Sequence, residues 1–138
     1  MATASHSVRQ AAVIAVKSGR VCLVMSSSGR RWVVPKGHIE PGQTAGEAAL
    51  QEAWEEAGLT GILQDEPLGS YVYQKCGQRY HVTVFVMGVT GVADKWPERS
   101  RRGRHWLRPE RAVACVEEPG LRKLLRRLLP ADVVEVPA

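Results

Sequence analysis

A chain of 138 residues with 44% apolar and 24% charged side chains has the make-up of one ordinary globular domain, large enough for a core without disulfide or metal staples. Nineteen Lys and Arg against fourteen Asp and Glu leave a net charge of +5, which suits a polyanionic partner, whether phosphorylated metabolite or nucleic acid. Cys22, Cys76 and Cys115 are odd in number and lack C-x-x-C spacing, so they favour a reducing cytoplasm and give no zinc signal. The apolar run Ala11 to Val16 is far too short for a membrane span, and no cleavable signal precedes it.

Residues 1–7 are small and polar, expected as a flexible N-terminus before a single domain over 8–130 and a tail over 131–138. Gln10 to Lys17 reads as a strand buried on both faces, and Ser18-Gly19-Arg20 as a tight turn returning Val21 to Met25 as its hairpin partner. Ser26-Ser27-Ser28-Gly29 is a loop whose hydroxyls and bare amides face either phosphate or water. Arg30-Arg31 lead into a strand over Trp32 to Pro35. The strand runs into the Gly/Pro-rich turn Lys36-Gly37-His38-Ile39-Glu40-Pro41-Gly42.

A helix over Thr44 to Leu59 is announced by its own punctuation. Thr44-Ala45-Gly46-Glu47 is a capping box, and Gly58 supplies the left-handed residue that stops the helix. Leu50, Ala53, Trp54 and Ala57 share one side and are expected to face a core. Glu52, Glu55 and Glu56 fall on the other, at i, i+3 and i+4, where like charges repel. The plain reading is a solvated acidic face. The functional one is a seat for hard divalent cations bound to phosphate oxygens.

After the helix, Leu59 to Leu63 is a short apolar segment, and Leu68 to Gln74 with Arg79 to Val89 is a hairpin turning at Lys75-Cys76-Gly77-Gln78. Tyr71 and Tyr73 share a face as core, cross-strand packing or a ligand wall. Residues 90–104 form a long irregular stretch rich in arginine. His105-Trp106-Leu107 is a strand, and Arg108-Pro109-Glu110 starts a helix through Val116. Pro119-Gly120 breaks that helix, and a last one runs from Leu121 to Leu129 with a leucine face and a basic flank. The tail 131–138 either frays or adds an edge strand. The order of elements suggests an α+β layered domain, a mixed sheet with one helix on each face.

The stretch from Gly37 through Glu52 to Glu55-Glu56-Ala57-Gly58-Leu59 resembles the Nudix hydrolase family, whose box reads G-x5-E-x7-R-E-U-x-E-E-x-G-U with U a bulky aliphatic. Three positions depart: Gln43 stands for the first glutamate, Gln51 for the arginine and Ala53 for an aliphatic. Both glutamines replace charges of opposite sign, as though an ion pair had become a neutral amide pair. The resemblance implies an α/β/α sandwich and a hydrolase of phosphoanhydride bonds. It implies magnesium, with manganese as the alternative, held by Glu52, Glu55, Glu56 and the carbonyl of Gly37.

The same resemblance makes Glu52 or Glu55 the base for the attacking water, or else a residue of a later loop, Asp94 or Glu98. Lys36 and His38 flank Gly37 and are expected to meet phosphate. The segments around Ser26–Ser28, Trp96-Pro97-Glu98 and Arg102-Gly103-Arg104 resemble the diphosphoinositol polyphosphate and diadenosine polyphosphate branch, which implies Arg9, Arg79, Arg102 and Arg104 as further substrate contacts. The Pro35-Lys36-Gly37-His38 run is more familiar in dinucleoside polyphosphate hydrolases, so both substrate classes stay open. The implied partner is a phosphorylated small molecule, with no membrane and no favoured nucleic acid, and the chain is a monomer or homodimer. A non-catalytic Nudix-fold sensor or RNA-binding module is the competing reading, motivated by Gln43, Gln51 and the basic balance.

Overall fold

The computed structural model describes residues 6–129 as one mixed eight-stranded sheet between helices. At its centre β1 (Ser7–Lys17) runs parallel to β7 (Gln78–Val92), from the Ser7–Arg79 pair to the Val16–Gly88 pair. Ala11 to Ala15 of β1 are wholly buried, as are Val82, Val84 and Met87 of β7. Small and β-branched side chains suit strands covered on both faces.

The other edge of β1 creates the site. Ser18 and Gly19 turn the chain with left-handed φ values of 52° and 74°, and β2 (Arg20–Met25) returns antiparallel. Only Val16–Val21 and Lys17–Arg20 are paired before the two strands part. Residues 32–38 occupy the gap. There β3 (Trp32–Val33) pairs with β2, and β4 (Lys36–His38) pairs with β1 from Gln10–His38 to Ala12–Lys36. Pro35 sits between them, its carbonyl accepting from Val13 N at 3.0 Å. The opposite edge of β2 is taken by β8 (Arg104–Leu107). Beyond β7 lie β5 (Leu59–Leu63) and β6 (Gly69–Lys75), the latter joined to β7 through Cys76 and Gly77, both at positive φ.

Helix α1 (Ala45–Ala57) covers one face of the sheet, over Ala11, Val13, Ala15, Val24 and Met87. Helices α2 (Pro109–Cys115) and α3 (Pro119–Arg126) cover the other, over Ile14, Leu23, Val82 and Val84. The result is the α+β, α/β/α sandwich expected. Among the described residues no helix is long and apolar enough to cross a membrane.

Several local expectations are corrected. Leu50 and Trp54 remain 38% and 39% exposed, and the buried stripe of α1 is Ala48, Ala49, Ala53, Glu56 and Ala57. Alanines on the helix facing alanines on β1 allow close approach, which bulkier side chains would prevent. The segment Lys36–His38, read as turn, pairs as a strand. Pairing with β5 carries β7 to Val92, past the expected end of the hairpin arm at Val89, with a register shift between Thr60 and Gly61. Pro119-Gly120 begins α3 rather than breaking a helix, since proline at the first position forfeits no intrahelical bond. Ser7 already belongs to β1. Residues 1–5 and the tail 131–138 lie outside the described residues.

Candidate active site

Both ends of α1 are capped. At its start Glu47 N donates to Thr44 Oγ1 at 3.0 Å and Thr44 N donates to Glu47 Oε1 at 2.8 Å, completing the capping box. At its end Gly58, at φ 67°, donates to the carbonyls of Ala53 and Trp54. The carbonyls that follow find partners in the loop after β7 and at the first residue of β8. Glu98 N donates to Glu55 O at 3.0 Å, Trp96 Nε1 to Glu56 O at 3.0 Å, and Arg104 Nη1 to Ala57 O at 2.7 Å. Arg104 also lies over the Trp96 ring, 4.1 Å from its centroid. These bonds satisfy acceptors that a helix leaves open.

The glutamates meet the chain that fills the gap in the sheet. Because β4 is paired to β1, the Gly37 backbone is pressed against α1, and a Cβ there would overlap the Glu52 carboxylate. Glu56 is almost wholly buried and accepts from the backbone N–H of Lys36 at 3.3 Å. Glu55 accepts from Gln51 Nε2 at 2.8 Å.

Burial raises the pKa of Glu56 to about 8, and the neighbouring Glu52 and Glu98 charges add to that; Arg102, at 3.6 Å, opposes it without prevailing. Burial raises Glu52 as well, reinforced by Glu55 and Glu98, while a hydrogen bond from Glu56 and the charge of Arg102 work against it. Lys36 is lowered by burial, against the pull of Glu56.

Two adjacent glutamates whose charged forms burial disfavours offer carboxylate oxygens, the ligand type that a hard divalent cation takes. Among the described residues no three His, Cys, Asp or Glu side chains are grouped closely enough to hold a metal ion as they stand.

A cavity of about 80 Å³ opens beside Glu56, lined by Ser26, Ser27, Arg31, Lys36, Lys75 and Arg102. A second, of about 160 Å³, shares Arg31, Lys36 and Lys75 with it and extends to Tyr71 and Tyr73. Together they make a groove leading away from the glutamates, basic where the two cavities share Arg31, Lys36 and Lys75 and lined by Glu118 in the second. Lys36 Nζ lies 5.2 Å from the centroid of the Tyr73 ring, which stacks on Tyr80 at 4.8 Å.

The structure therefore gathers Gly37, Lys36, Glu52, Glu55, Glu56 and Arg102 in one place. Glu98 joins them through Arg102, whereas Asp94 is exposed. His38 is exposed and stacks loosely on Tyr80, at 6.5 Å. Arg9 and Arg79 are exposed on the neighbouring strands β1 and β7, outside the lining of both cavities. Arg31 and Lys75 were missed by sequence reasoning. Strand alternation offered a signal for Lys75, since Tyr71, Tyr73 and Lys75 share one face of β6. Arg31 carried none.

The NUDIX domain model matches residues 6–130. Nudix hydrolase 12, mitochondrial, of Arabidopsis thaliana is 35% identical over 117 residues, covering 79% of this chain and 58% of the plant protein. Human diphosphoinositol polyphosphate phosphohydrolase 3-beta is 36% identical over 116 residues, covering 79% and 69%. The chain spans between 54% and 63% of the length of four Arabidopsis relatives. A crystal structure of C. elegans Ap4A hydrolase superposes with a TM-score of 0.73 at 22% identity, covering 88% of this chain and 96% of that one. A NUDIX hydrolase from Nitrosomonas europaea reaches 0.76 at 17%, covering 96% and 98%. With its glutamate helix, its glycine loop and nearly its whole length matched, the chain belongs to the Nudix family.

Proposed function

We propose that this chain is a metal-dependent pyrophosphohydrolase, cleaving a phosphoanhydride bond in a small substrate of the dinucleoside polyphosphate or diphosphoinositol polyphosphate class. The observation that carries this reading is the position of buried Glu56, next to Glu52 and at the mouth of a groove lined by Arg31, Lys36 and Lys75. A phosphoanhydride resists water because its negative oxygens repel a nucleophile, so catalysis needs charge neutralisation and an in-line water. The groove supplies the first along the polyphosphate. Glu52, Glu55, Glu56 and the Gly37 carbonyl would hold magnesium, or manganese, which when bound neutralises phosphate charge and acidifies a water. The base is one of Glu52, Glu55 and Glu98; Asp94, out in solvent, is the weaker candidate.

A cytoplasmic location fits the three unpaired thiols at Cys22, Cys76 and Cys115. The rival reading, a sensor or RNA-binding module, draws on Gln43 and Gln51, yet leaves three crowded carboxylates without use. Phosphate release from diadenosine polyphosphates, diphosphoinositol polyphosphates and nucleoside triphosphates, with and without magnesium, tests the proposal. Metal-dependent release from at least one class is expected, and release from none would overturn it.

A further inference from the structure

The loop over residues 93–103 holds α1 by its backbone carbonyls, and Arg102 adds a link between side chains. Its Nη1 donates to Met25 O at 2.9 Å, at the end of β2. Its Nε donates to Glu98 Oε1 at 2.6 Å. Its Nη2 lies 3.6 Å from Glu56 Oε2, too far for a good hydrogen bond yet close enough for attraction. Each of its three nitrogens thus faces an acceptor on a different element, and the side chain is 15% exposed. Among the described residues it makes the only ion pairs, and both are to this cluster. Gln51, at the box position where the family has arginine, reaches Glu55 alone of the acidic residues and carries no charge.

We infer that Arg102 is a positioning residue: anchored on the end of β2, it fixes the orientation of Glu56 and Glu98 toward each other, from outside the box helix. This rests on the metal-dependent reading above and differs from the substrate contact implied by resemblance. A guanidinium fork serves three acceptors in fixed directions, which an ammonium point charge does not. A group that orients ligands acts on metal affinity and on turnover, and leaves substrate affinity largely alone.

The test compares wild type with Arg102→Lys, Arg102→Gln and, as an exposed control, Arg101→Lys. Magnesium binding is measured by calorimetry, and kcat and KM on the best substrate of the panel. Both Arg102 variants should lose about 10–100-fold in magnesium affinity, with a fall in kcat at saturating metal. KM for substrate should stay within about threefold. Unchanged magnesium affinity would overturn the inference, and so would a raised KM with kcat intact, which marks a substrate contact. A wild-type protein that binds magnesium but hydrolyses nothing would sink the proposed function alone, since the calorimetric comparison still decides the role of Arg102.

Discussion

Gln43 donates its side-chain amide to Gln51 Oε1 across 2.6 Å, and Gln51 donates in turn to Glu55 Oε2 across 2.8 Å. The relay begins at the backbone, where Glu40 N donates to Gln43 Oε1 at 3.0 Å. Two positions that carry opposite charges in the Nudix box are here two amides in direct contact. The bridge between them carries no net charge, and it ends on a glutamate of the site.

Restoring the charges one at a time should therefore fail where restoring both succeeds. Gln51→Arg alone loses its neutral acceptor match with Gln43, and Gln43→Glu alone adds a negative charge near Glu55. The double variant should raise magnesium affinity beyond the sum of the single changes, by a coupling of about 0.5–3 kcal/mol. Titrations of all four proteins measure it, and additivity within about 0.5 kcal/mol would remove the idea.

Glu56→Gln should abolish turnover and leave the fold intact. If Glu56 holds the metal as proposed, losing its carboxylate raises the barrier by several kcal/mol, on the order of a thousandfold in rate. The amide keeps the shape of the side chain and removes a buried carboxyl. Steady-state kinetics beside a circular dichroism spectrum decide the matter, and near-wild-type turnover would refute the role.

Stability of the metal-free protein should fall as pH rises. Glu56 is raised from 4.5 to about 8 by burial, so the folded state holds a proton that the unfolded chain gives up. Its contribution is complete below about pH 4.5 and is lost as pH climbs through about 8, with Glu52 shifted in the same sense. Lys36, lowered by burial from 10.5, acts in the opposite sense at higher pH. Thermal melts in chelator at low and high pH should show the decline, magnesium should reverse it, and Glu56→Gln should flatten it. Equal slopes in variant and wild type would count against the assignment.

Gly58→Ala should destabilise the end of α1. Its φ of 67° costs an L residue about 1–2 kcal/mol. A Cβ would also stand 2.7 Å from the Trp96 ring, displacing the side chain that caps Glu56 O. Urea unfolding should show a loss of at least that size, and magnesium affinity should weaken as the last turn loosens. A loss below about 0.5 kcal/mol would mean that the turn tolerates the change.

If polyphosphate runs along the groove, Arg31→Ala and Lys75→Ala should raise KM more for long substrates than for short ones. Lys75 is exposed, so its contribution should stay below about 1 kcal/mol and shrink as salt rises. Arg9→Ala and Arg79→Ala, away from both cavities, should change KM less. KM measured against chain length at two salt concentrations separates these outcomes.

The sequence by itself determined what is local. The capping box at Thr44, the stop at Gly58, the three glutamates on one turn and the order of strands and helices rest on contacts only a few residues apart, and spacing reveals such contacts directly. Only the tertiary structure decided which side of α1 is buried. It put Glu56 inside and left Leu50 and Trp54 at the surface, with the helix alanines packed close over Ala11, Val13 and Ala15 of β1. It also decided where Arg102 goes. That arginine reaches Met25 across 77 positions, and it meets Glu56 because β1 and β2 part to admit residues 32–38 while the loop after β7 folds over the end of α1. Such long-range meetings follow from chain topology and packing, which carry no period along the sequence.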